Sequence, residues 1–229
     1  MMNKSIVLLS GGLDSLVSLA VSLKDSSEVL ALTFNYGQKS YKAEIESAKK
    51  IVDFYGIRHK IIDLPWLAEV STSSLNTSDV VPSLIETSLN DLSVTRDSSK
   101  SVWVPNRNAL FVNVAACFAE AMEFDRIVIG ANKEEALTFK DNSIEFIQAI
   151  NNSFKNSMNK KISLYAPLVD FVKEDIIKIG IENSVPFELL HSCYVNNEVH
   201  CGVCESCLRL KRALKSNNRN DIIRQIFGK

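Results

Sequence analysis

Three apolar runs of strand length, separated by two helical patterns, occupy the first 65 residues of the chain. The runs are residues 5–9, 29–34 and 59–64, and the helical patterns cover residues 16–23 and 41–55. Strands that are apolar on both faces and alternate with helices are typical of a parallel sheet covered on both sides. The predicted fold class is therefore α/β, with a doubly wound, mostly parallel sheet.

Patterns of the same kind return in the second half of the chain. The predicted elements are a helix over residues 110–122, a strand over 125–130, a helix over 142–158, a strand over 162–165 and a helix over 173–183. We therefore predict one α/β domain over residues 1–185 and a C-terminal segment over residues 186–229.

Residues 71–101 interrupt this alternation. Ser, Thr, Asn and Asp dominate the segment, and its apolar positions keep no long period. We expect a long surface excursion with one short helix near residues 82–89. Two interpretations remain open: the segment is either a lid over a functional site or a disordered insertion without a role.

The charge balance limits the partners of the chain. Its 229 residues include 26 Lys and Arg against 27 Asp and Glu, a formal charge of -1. Because nucleic-acid binding by counterion release needs a surplus of cations, we expect no nucleic-acid partner. No run of about 18 apolar residues is present, and the N-terminal apolar stretch ends at Leu9, too early for a signal peptide. The interpretation is a cytoplasmic protein that does not enter the membrane.

Four of the five cysteines crowd into fifteen residues near the C-terminus, at Cys193, Cys201, Cys204 and Cys207. Four thiolates satisfy tetrahedral zinc, and a site closed in this way is structural rather than catalytic. Two disulfides or an iron–sulfur cluster are the alternatives that the spacing leaves open. The fifth cysteine, Cys117, falls within a helical stripe and is expected to be a small buried core residue.

The string Ser-Gly-Gly-Leu-Asp-Ser, residues 10–15, directly follows the first predicted strand. At such a turn the free N–H groups of a helix start converge, and the helix dipole favours an anion. Two glycines let a phosphate approach the backbone closely. The string is neither a Walker loop nor the G-x-G-x-x-G motif of dinucleotide-binding folds. It predicts an anion site, with Asp14 as a ligand of Mg²⁺ or as a helix cap.

This string resembles the signature of the PP-loop ATP pyrophosphatases, which cleave ATP to AMP and pyrophosphate while adenylating a substrate oxygen. The resemblance implies a Rossmann-like fold of the adenine nucleotide alpha hydrolase type, with adenine near the end of the second strand. There Phe34 and Tyr36 are either nucleotide contacts or plain core residues. The nucleotide-binding residues that it implies are Leu8, Leu9, Ser10, Gly11, Gly12, Leu13, Asp14, Ser15, Leu16, Val17 and Ser18, with pyrophosphate on the serines of residues 10–15, the two glycines and Asp14.

Further segments extend the resemblance over almost the whole chain. After SGGLDS they are, in order, LTFNYGQKS, VPNRNALF, GAN, APLVDFVKEDI and SCY…CGVCESCLRLKRA. The series closely resembles the 7-cyano-7-deazaguanine synthase family. What it implies is a ligase that uses ATP and ammonia to convert 7-carboxy-7-deazaguanine to a nitrile, with Mg²⁺, a structural Zn²⁺ and a homodimeric assembly.

The resemblance also suggests roles for individual side chains. Asp14 with Mg²⁺, together with the cations Arg107 and Lys173, would neutralise charge on the phosphates and the leaving group. The residues that would contact the deazapurine base are Glu135, Asp141 and Asn142. Each of these three could equally be a helix cap or a solvated side chain.

The sequence departs from many bacterial members of that family at three places. Asn35 stands where they carry Asp, Asn106 where they carry Gly, and residues 133–143 replace a Tyr-Pro-Asp-Cys-Arg stretch with a form nearer to archaeal-type members. The last segment is expected to face the deazapurine.

The alternative functions are a PP-loop enzyme acting on tRNA or another acid, and a non-enzymatic zinc-ribbon module on an ATP-binding fold.

Overall fold

The computed structural model describes residues 2–228 as alternating strands and helices, as the sequence predicts. The strands are β1 (Asn3–Leu8), β2 (Ser26–Asn35), β3 (Arg58–Asp63), β4 (Arg126–Val128) and β5 (Ser163–Tyr165). The helices are α1 (Leu13–Leu23), α2 (Tyr41–Tyr55), α3 (Trp66–Glu69), α4 (Leu92–Ser101), α5 (Arg107–Met122), α6 (Ile144–Ser157), α7 (Lys173–Glu182), α8 (Glu205–Ser216) and α9 (Asn220–Phe227). Short 3₁₀ turns lie at Glu86–Asn90, Glu135–Leu137, Lys140–Asn142 and Phe187–Leu189.

The strands form one parallel sheet in the order β3-β2-β1-β4-β5. Strands are added outward from β1 in one direction along the first half of the chain and in the other direction along the second half. In open α/β sheets a ligand crevice lies outside the carboxyl ends of the strands where the order reverses. Here that point is the junction of β1 and β4, so the turn over residues 10–15 lies at the crevice.

Apolar side chains cover both faces of the sheet. Along β1, Val7 packs into one core with α1, α2, α7, α8 and α9, whereas Ile6 and Leu8 pack into the other core with α5 and α6. Alternate residues of a strand point to opposite faces, so a strand that is apolar throughout must be covered twice. The prediction of a doubly wound sheet is confirmed.

The segment over residues 71–101 contains a helix that the sequence pattern did not predict. Helix α4 begins after Asp91, whose Oδ1 accepts a hydrogen bond from the N–H of Ser93 at 2.8 Å. Its buried residues are Thr95, Ser98 and Ser99, so it has no apolar stripe for a periodicity argument to detect. The helix expected near residues 82–89 is instead the 3₁₀ turn at Glu86–Asn90.

Cys117 is exposed, so the prediction of a buried core cysteine is wrong. Helix α5 buries the face that carries Val112, Ala115, Ala116 and Ala119, and residue 117 lies outside that face. The error arose because α5 is apolar around much of its circumference, so hydrophobicity alone did not define its buried face.

The C-terminal segment packs on the same apolar core as the helix that follows the turn over residues 10–15. Leu210 and Leu214 of α8 are buried together with residues of α1 and α7. The N–H of His191 donates to the carbonyl of Gly11 at 2.8 Å. No helix within residues 2–228 is long and apolar enough to span a membrane.

Candidate nucleotide-binding site and metal centre

A cavity of about 230 Å³ lies at the carboxyl ends of β1, β2 and β4. Of the nucleotide-binding residues implied by the sequence, those that line it are Leu8, Leu9, Ser10, Gly12, Leu13, Asp14 and Ser15. Leu16, Val17 and Ser18 do not line it; they are fully buried within α1. Gly11 belongs to the turn but packs against α2 and does not line the cavity. Of the eleven implied residues, the cavity therefore contacts the end of β1, the turn and the start of α1, but not the interior of α1.

Gly11 gives the turn its shape. Its φ is +82°, and a Cβ atom there would lie 2.7 Å from the Oγ of Ser47 and 3.0 Å from the carbonyl of Glu44. Ser47 donates its hydroxyl to the carbonyl of Gly11 at 3.2 Å and to that of Leu189 at 2.7 Å. Any side chain at residue 11 would combine backbone strain with a steric clash, so the first glycine is required by the packing of α2.

Hydroxyl groups and backbone N–H groups converge on the cavity side of the turn. The Oγ of Ser10 accepts from the N–H of Gly12 at 3.3 Å and lies 3.1 Å from the Oγ of Ser15. The Oγ of Ser192 accepts from the N–H of Leu13 at 3.2 Å. Ser192 begins the SCY segment of the C-terminal region, which carries part of the resemblance but gave no reason to expect a contact with the turn. Such a cluster of small donors at a helix start suits the oxygens of a phosphate.

Gly130, two residues after the end of β4, is packed against the backbone of the same turn. A Cβ atom at residue 130 would lie 2.7 Å from the N of Ser15 and 2.8 Å from the C of Asp14. We expect Gly130→Ala to displace the start of α1, to cost about 1–3 kcal/mol of stability and to weaken ATP binding measured by calorimetry. The matched control is Gly56→Ala, which is strained by its φ of +65° but has no atom within 4 Å of the new methyl group. Gly56→Ala should lower stability alone; equal ATP affinity in the two variants would contradict the prediction.

Asp14, Glu135 and Lys173 meet at the floor of the cavity. The Nζ of Lys173 lies 2.6 Å from the Oδ2 of Asp14 and 2.8 Å from the Oε1 of Glu135. The other oxygen of Asp14, Oδ1, is buried and has no hydrogen-bond partner among the residues that the structure describes. The structure thus brings together two acidic residues and a lysine that the sequence placed far apart.

The protonation of this cluster reflects burial opposed by pairing. Burial raises the pKa of Asp14 to about 6, although the ammonium of Lys173 acts against the rise. Burial alone would raise the pKa of Glu135 and lower that of Lys173. Attraction to Lys173 outweighs burial and lowers the pKa of Glu135, and attraction to Asp14 and Glu135 outweighs it and raises the pKa of Lys173. Lys173 is therefore a fixed cation beside the nucleotide turn.

Arg107 supplies a second cation to the cavity. Its Nη1 donates to the hydroxyl of Tyr36 at 3.2 Å, and its guanidinium lies 5.5 Å from the centre of that ring. Phe34 and Phe111 stack beside them, with ring centres 4.1 Å apart. All four side chains line the cavity. Phe34 and Tyr36 are therefore core residues by their burial and cavity-lining residues by their position.

The remaining predicted residues follow β4. Asn142 lines the cavity, whereas Asp141 does not. The carbonyl of Asp141 accepts from the side chain of Asn108 at 3.4 Å, and its Oδ1 is buried without a partner within residues 2–228. Burial raises the pKa of Asp141, against the opposing charge of Arg107. Asp141 thus lies behind the cavity wall, next to groups that form it.

The four clustered cysteines come together as a second site. Their sulfur atoms all lie within 4.8 Å of one another, and the Sγ atoms of Cys201 and Cys207 are 3.9 Å apart. Tetrahedral zinc with bonds of about 2.3 Å separates its sulfur ligands by about 3.8 Å. Backbone N–H groups of Cys201 and Cys204 donate to the sulfurs of Cys193 and Cys201, both at 3.4 Å. All four are free thiols, so the arrangement fits one Zn²⁺ and not a pair of disulfides.

Comparison with known proteins identifies the group to which this geometry belongs. Residues 4–218 match the family described as Queuosine biosynthesis protein QueC, which is most of the chain and includes both sites. The chain belongs to the QueC family. As a member it is an ATP-dependent, ligase-type enzyme, and the resemblance inferred from its motifs is confirmed.

Curated relatives of this QueC protein are similar over nearly their whole length. A 7-cyano-7-deazaguanine synthase from Methanobrevibacter smithii is 46% identical over 94% of this chain and 94% of its own length. One from Carboxydothermus hydrogenoformans is 46% identical over 94% of this chain and 100% of its own length. Among solved structures, a 4-thiouridine synthetase in complex with RNA and ATP shares the fold, at 18% identity and a TM-score of 0.51 over 98% of this chain and 53% of that chain.

Two of the departures from bacterial members have a local explanation. Asn106 adopts a φ of +53°, a left-handed conformation that Gly and Asn tolerate better than other residues. Asn35 donates from Nδ2 to the Oδ1 of Asp63 at 2.7 Å, across the β2–β3 pair. An Asp at residue 35 would instead place two carboxylates side by side. Both asparagines therefore fit the backbone and charges around them.

Proposed function

We propose that this QueC protein converts 7-carboxy-7-deazaguanine and ammonia to 7-cyano-7-deazaguanine at the expense of ATP. The observation that carries the proposal is that the turn over residues 10–15, Lys173 and Arg107 line one and the same cavity. The names of the relatives support the choice of acid, and the cations in the cavity support a reaction that handles phosphate groups.

The chemistry requires two activations at one carbon atom. A carboxylate oxygen attacks the α-phosphorus of ATP and pyrophosphate leaves, which gives an acyl adenylate. Ammonia then adds to the acyl carbon, AMP leaves, and a proton is released as the amide forms. The amide oxygen is adenylated in the same way by a second ATP, and loss of AMP and protons from the nitrogen gives the nitrile. Each half of the reaction therefore needs the same phosphate site.

In this scheme the protein positions groups and neutralises charge. The N–H groups and hydroxyls of residues 10–15 hold the departing pyrophosphate. Lys173 and Arg107 offset the negative charge on the oxygens of the α-phosphate and on the departing pyrophosphate. Asp14 and Glu135 fix the ammonium of Lys173 at 2.6 and 2.8 Å, so it is oriented before the nucleotide binds.

The donor set also fits Mg²⁺. Asp14 has one buried oxygen without a partner in the part of the chain that the structure describes, and the carboxylate of Glu135 lies close by on the same lysine. Hard oxygen ligands of this kind, with phosphate oxygens, are what Mg²⁺ prefers. When bound, the ion would supply further charge neutralisation for the phosphates.

The proposed base contacts are Asn142 and Glu135, which line the cavity, with Asp141 behind them. A deazaguanine presents N–H donors along one edge, and carboxylate or amide oxygens are suitable acceptors. Zn²⁺ on the four cysteines has a structural role in the proposal. We also propose a cytoplasmic homodimer that acts on the free base without a nucleic-acid partner; the formal charge of -1 supports the last point.

The deciding experiment is an acid-substrate screen with the zinc-loaded full chain. We expect pyrophosphate release from ATP only with 7-carboxy-7-deazaguanine among the acids tested, and mass spectrometry should find the nitrile when ammonia is present. Omission of ammonia should prevent nitrile formation. Pyrophosphate release that depends on tRNA, or on a different acid, would overturn the assignment.

A further inference from the structure

Two neighbouring glutamates after β4 face opposite parts of the molecule. Glu135 lines the cavity and contacts the side chain of Lys173. Glu134 turns away from that cavity, and its side chain is only 10% exposed. The carbonyl of Phe171 and the N–H of Lys133, 3.0 Å apart, hold this loop against the start of α7. The pair of glutamates is thus a junction between the cavity and the elements behind it.

Glu134 makes three short contacts with two helices. Its Oε1 accepts from the backbone N–H of Lys173 at 2.8 Å. Its Oε2 accepts from Arg209 and from Arg212 of α8, both at 2.7 Å. Lys173 is the first residue of α7, where the backbone N–H groups have no partner inside the helix and a negative charge is favourable. Glu134 therefore fixes the backbone of the residue whose side chain lies in the cavity.

The arginines come from the helix that carries the metal centre. Cys204 precedes α8 and Cys207 lies in its first turn, two residues before Arg209. Arg209 is also held by Glu205, at 3.0 Å from Nε and 2.8 Å from Nη2. The cysteine site, α8, Glu134 and Lys173 are in this way joined by a continuous series of short, largely buried polar contacts.

We propose that Glu134 is a positioning residue that couples the four-cysteine metal segment to Lys173. The proposal rests on the proposed function in one respect, the role of Lys173 as a cation for the phosphates of ATP. Glu134 does not contact the cavity; it acts by setting where α7 begins and hence where the ammonium of Lys173 lies. Because a shift of about 1 Å in a positioned group can reduce catalysis by about 100-fold, this junction makes the metal segment necessary for activity as well as for stability.

The charges around Glu134 allow the idea to be tested without an unpaired buried arginine. Arg209 keeps Glu205 as a partner, and Arg212 keeps Glu174 at 2.8 Å when Glu134 is neutral. Glu134→Gln should therefore fold, with α7 less firmly held. Glu174→Gln is a matched control, because it removes the other partner of Arg212 and leaves the contact between Glu134 and Lys173 intact.

The test is a double-mutant cycle on the zinc-loaded full chain, read by ATP affinity in calorimetry and by the rate of pyrophosphate release. We expect Glu134→Gln to slow release by about 100-fold and to weaken ATP binding. In a Lys173→Met background the same change should alter either quantity by less than about twofold, because the group that it positions is gone. A merely structural role would give the same loss in both backgrounds. Glu174→Gln should stay within about twofold of the parent.

Arg212→Gln provides a second variant that acts from the metal segment. It should weaken ATP binding less than Glu134→Gln does, and its effect should also vanish in the Lys173→Met background. Additive effects in both cycles would overturn the proposal, and if Glu134→Gln does not fold, the cycle with Arg212→Gln decides. The double-mutant cycle read by ATP affinity does not depend on the acid substrate. If the acid screen failed but the effects of Glu134→Gln and Lys173→Met on ATP affinity were non-additive, only the proposed reaction would be rejected. A successful screen with additive cycles would reject only the role of Glu134.

Discussion

Asp14→Asn is expected to abolish ATP-dependent pyrophosphate release while the protein stays folded. The substitution keeps the shape of the side chain but removes the charge that holds Lys173 at 2.6 Å and that, in the proposed function, would serve as a ligand of Mg²⁺. We expect a loss of about 100-fold or more, the size of effect seen when a positioned charge-stabilising group is removed. The measurement is a coupled pyrophosphate assay with saturating ATP. Retention of full activity would remove Asp14 from the mechanism.

The stability of the Asp14→Asn variant has a predictable pH dependence. Asp14 titrates at about 6 in the folded protein, above its ordinary value of 3.8, so the folded state binds more protons between those pH values. The contribution of Asp14 to the free energy of unfolding of the parent protein therefore falls as the pH rises from about 4 to about 6. Above that range it stays at the lower value. Asparagine does not titrate, so at pH 8 the variant should melt at or above the temperature of the parent.

A matched control separates this effect from a general loss of charge. Asp25 pairs with Arg126 at the opposite end of the sheet, and its side chain is 53% exposed. Asp25→Asn should lower the melting temperature slightly and leave the rate of pyrophosphate release unchanged. A melting temperature that falls much further for Asp14→Asn than for Asp25→Asn at pH 8 would contradict the account of burial given above.

Loss of the metal centre is the second change with a large expected effect. We expect about one Zn²⁺ per chain, and Cys204→Ser should remove most of it because the four thiolates share one ion. Metal binding in such small sites contributes directly to folding, so a loss of about 3 kcal/mol or more is expected, or a melting temperature lower by about 6–12 °C for a chain of this size. A strong chelator should produce the same shift in the parent protein.

The control for the metal experiment is Cys117→Ser. Cys117 is exposed and lies outside the cysteine cluster, so its replacement should change neither the zinc content nor the melting temperature. If freshly prepared protein contained no zinc, or if Cys204→Ser and Cys117→Ser behaved alike, the structural role of the cluster would be wrong.

Local patterns in the sequence predicted the frame of the fold because each carries its own physical cause. The buried strands are apolar on both faces, and the helices between them have one apolar side, so the covered parallel sheet follows from periodicity alone. Helix α4 was missed since its buried side chains are Thr95, Ser98 and Ser99. Cys117 was misplaced since α5 has no distinct polar face. Both errors occur where burial is not signalled by hydrophobicity.

The sequence by itself determined the two motifs, the glycine turn and the four cysteines, because spacing within a short segment is enough to bring their atoms together. The family resemblance named several distant residues as members of one site, but only the tertiary structure shows which of them contact one another. Asp14, Glu135 and Lys173 share one cavity because β1, β4 and α7 meet at the reversal of strand order, and Ser192 reaches the turn through the packing of the C-terminal segment. Contacts of this kind depend on how helices and strands pack, and packing of elements far apart in sequence leaves no periodic trace along the chain.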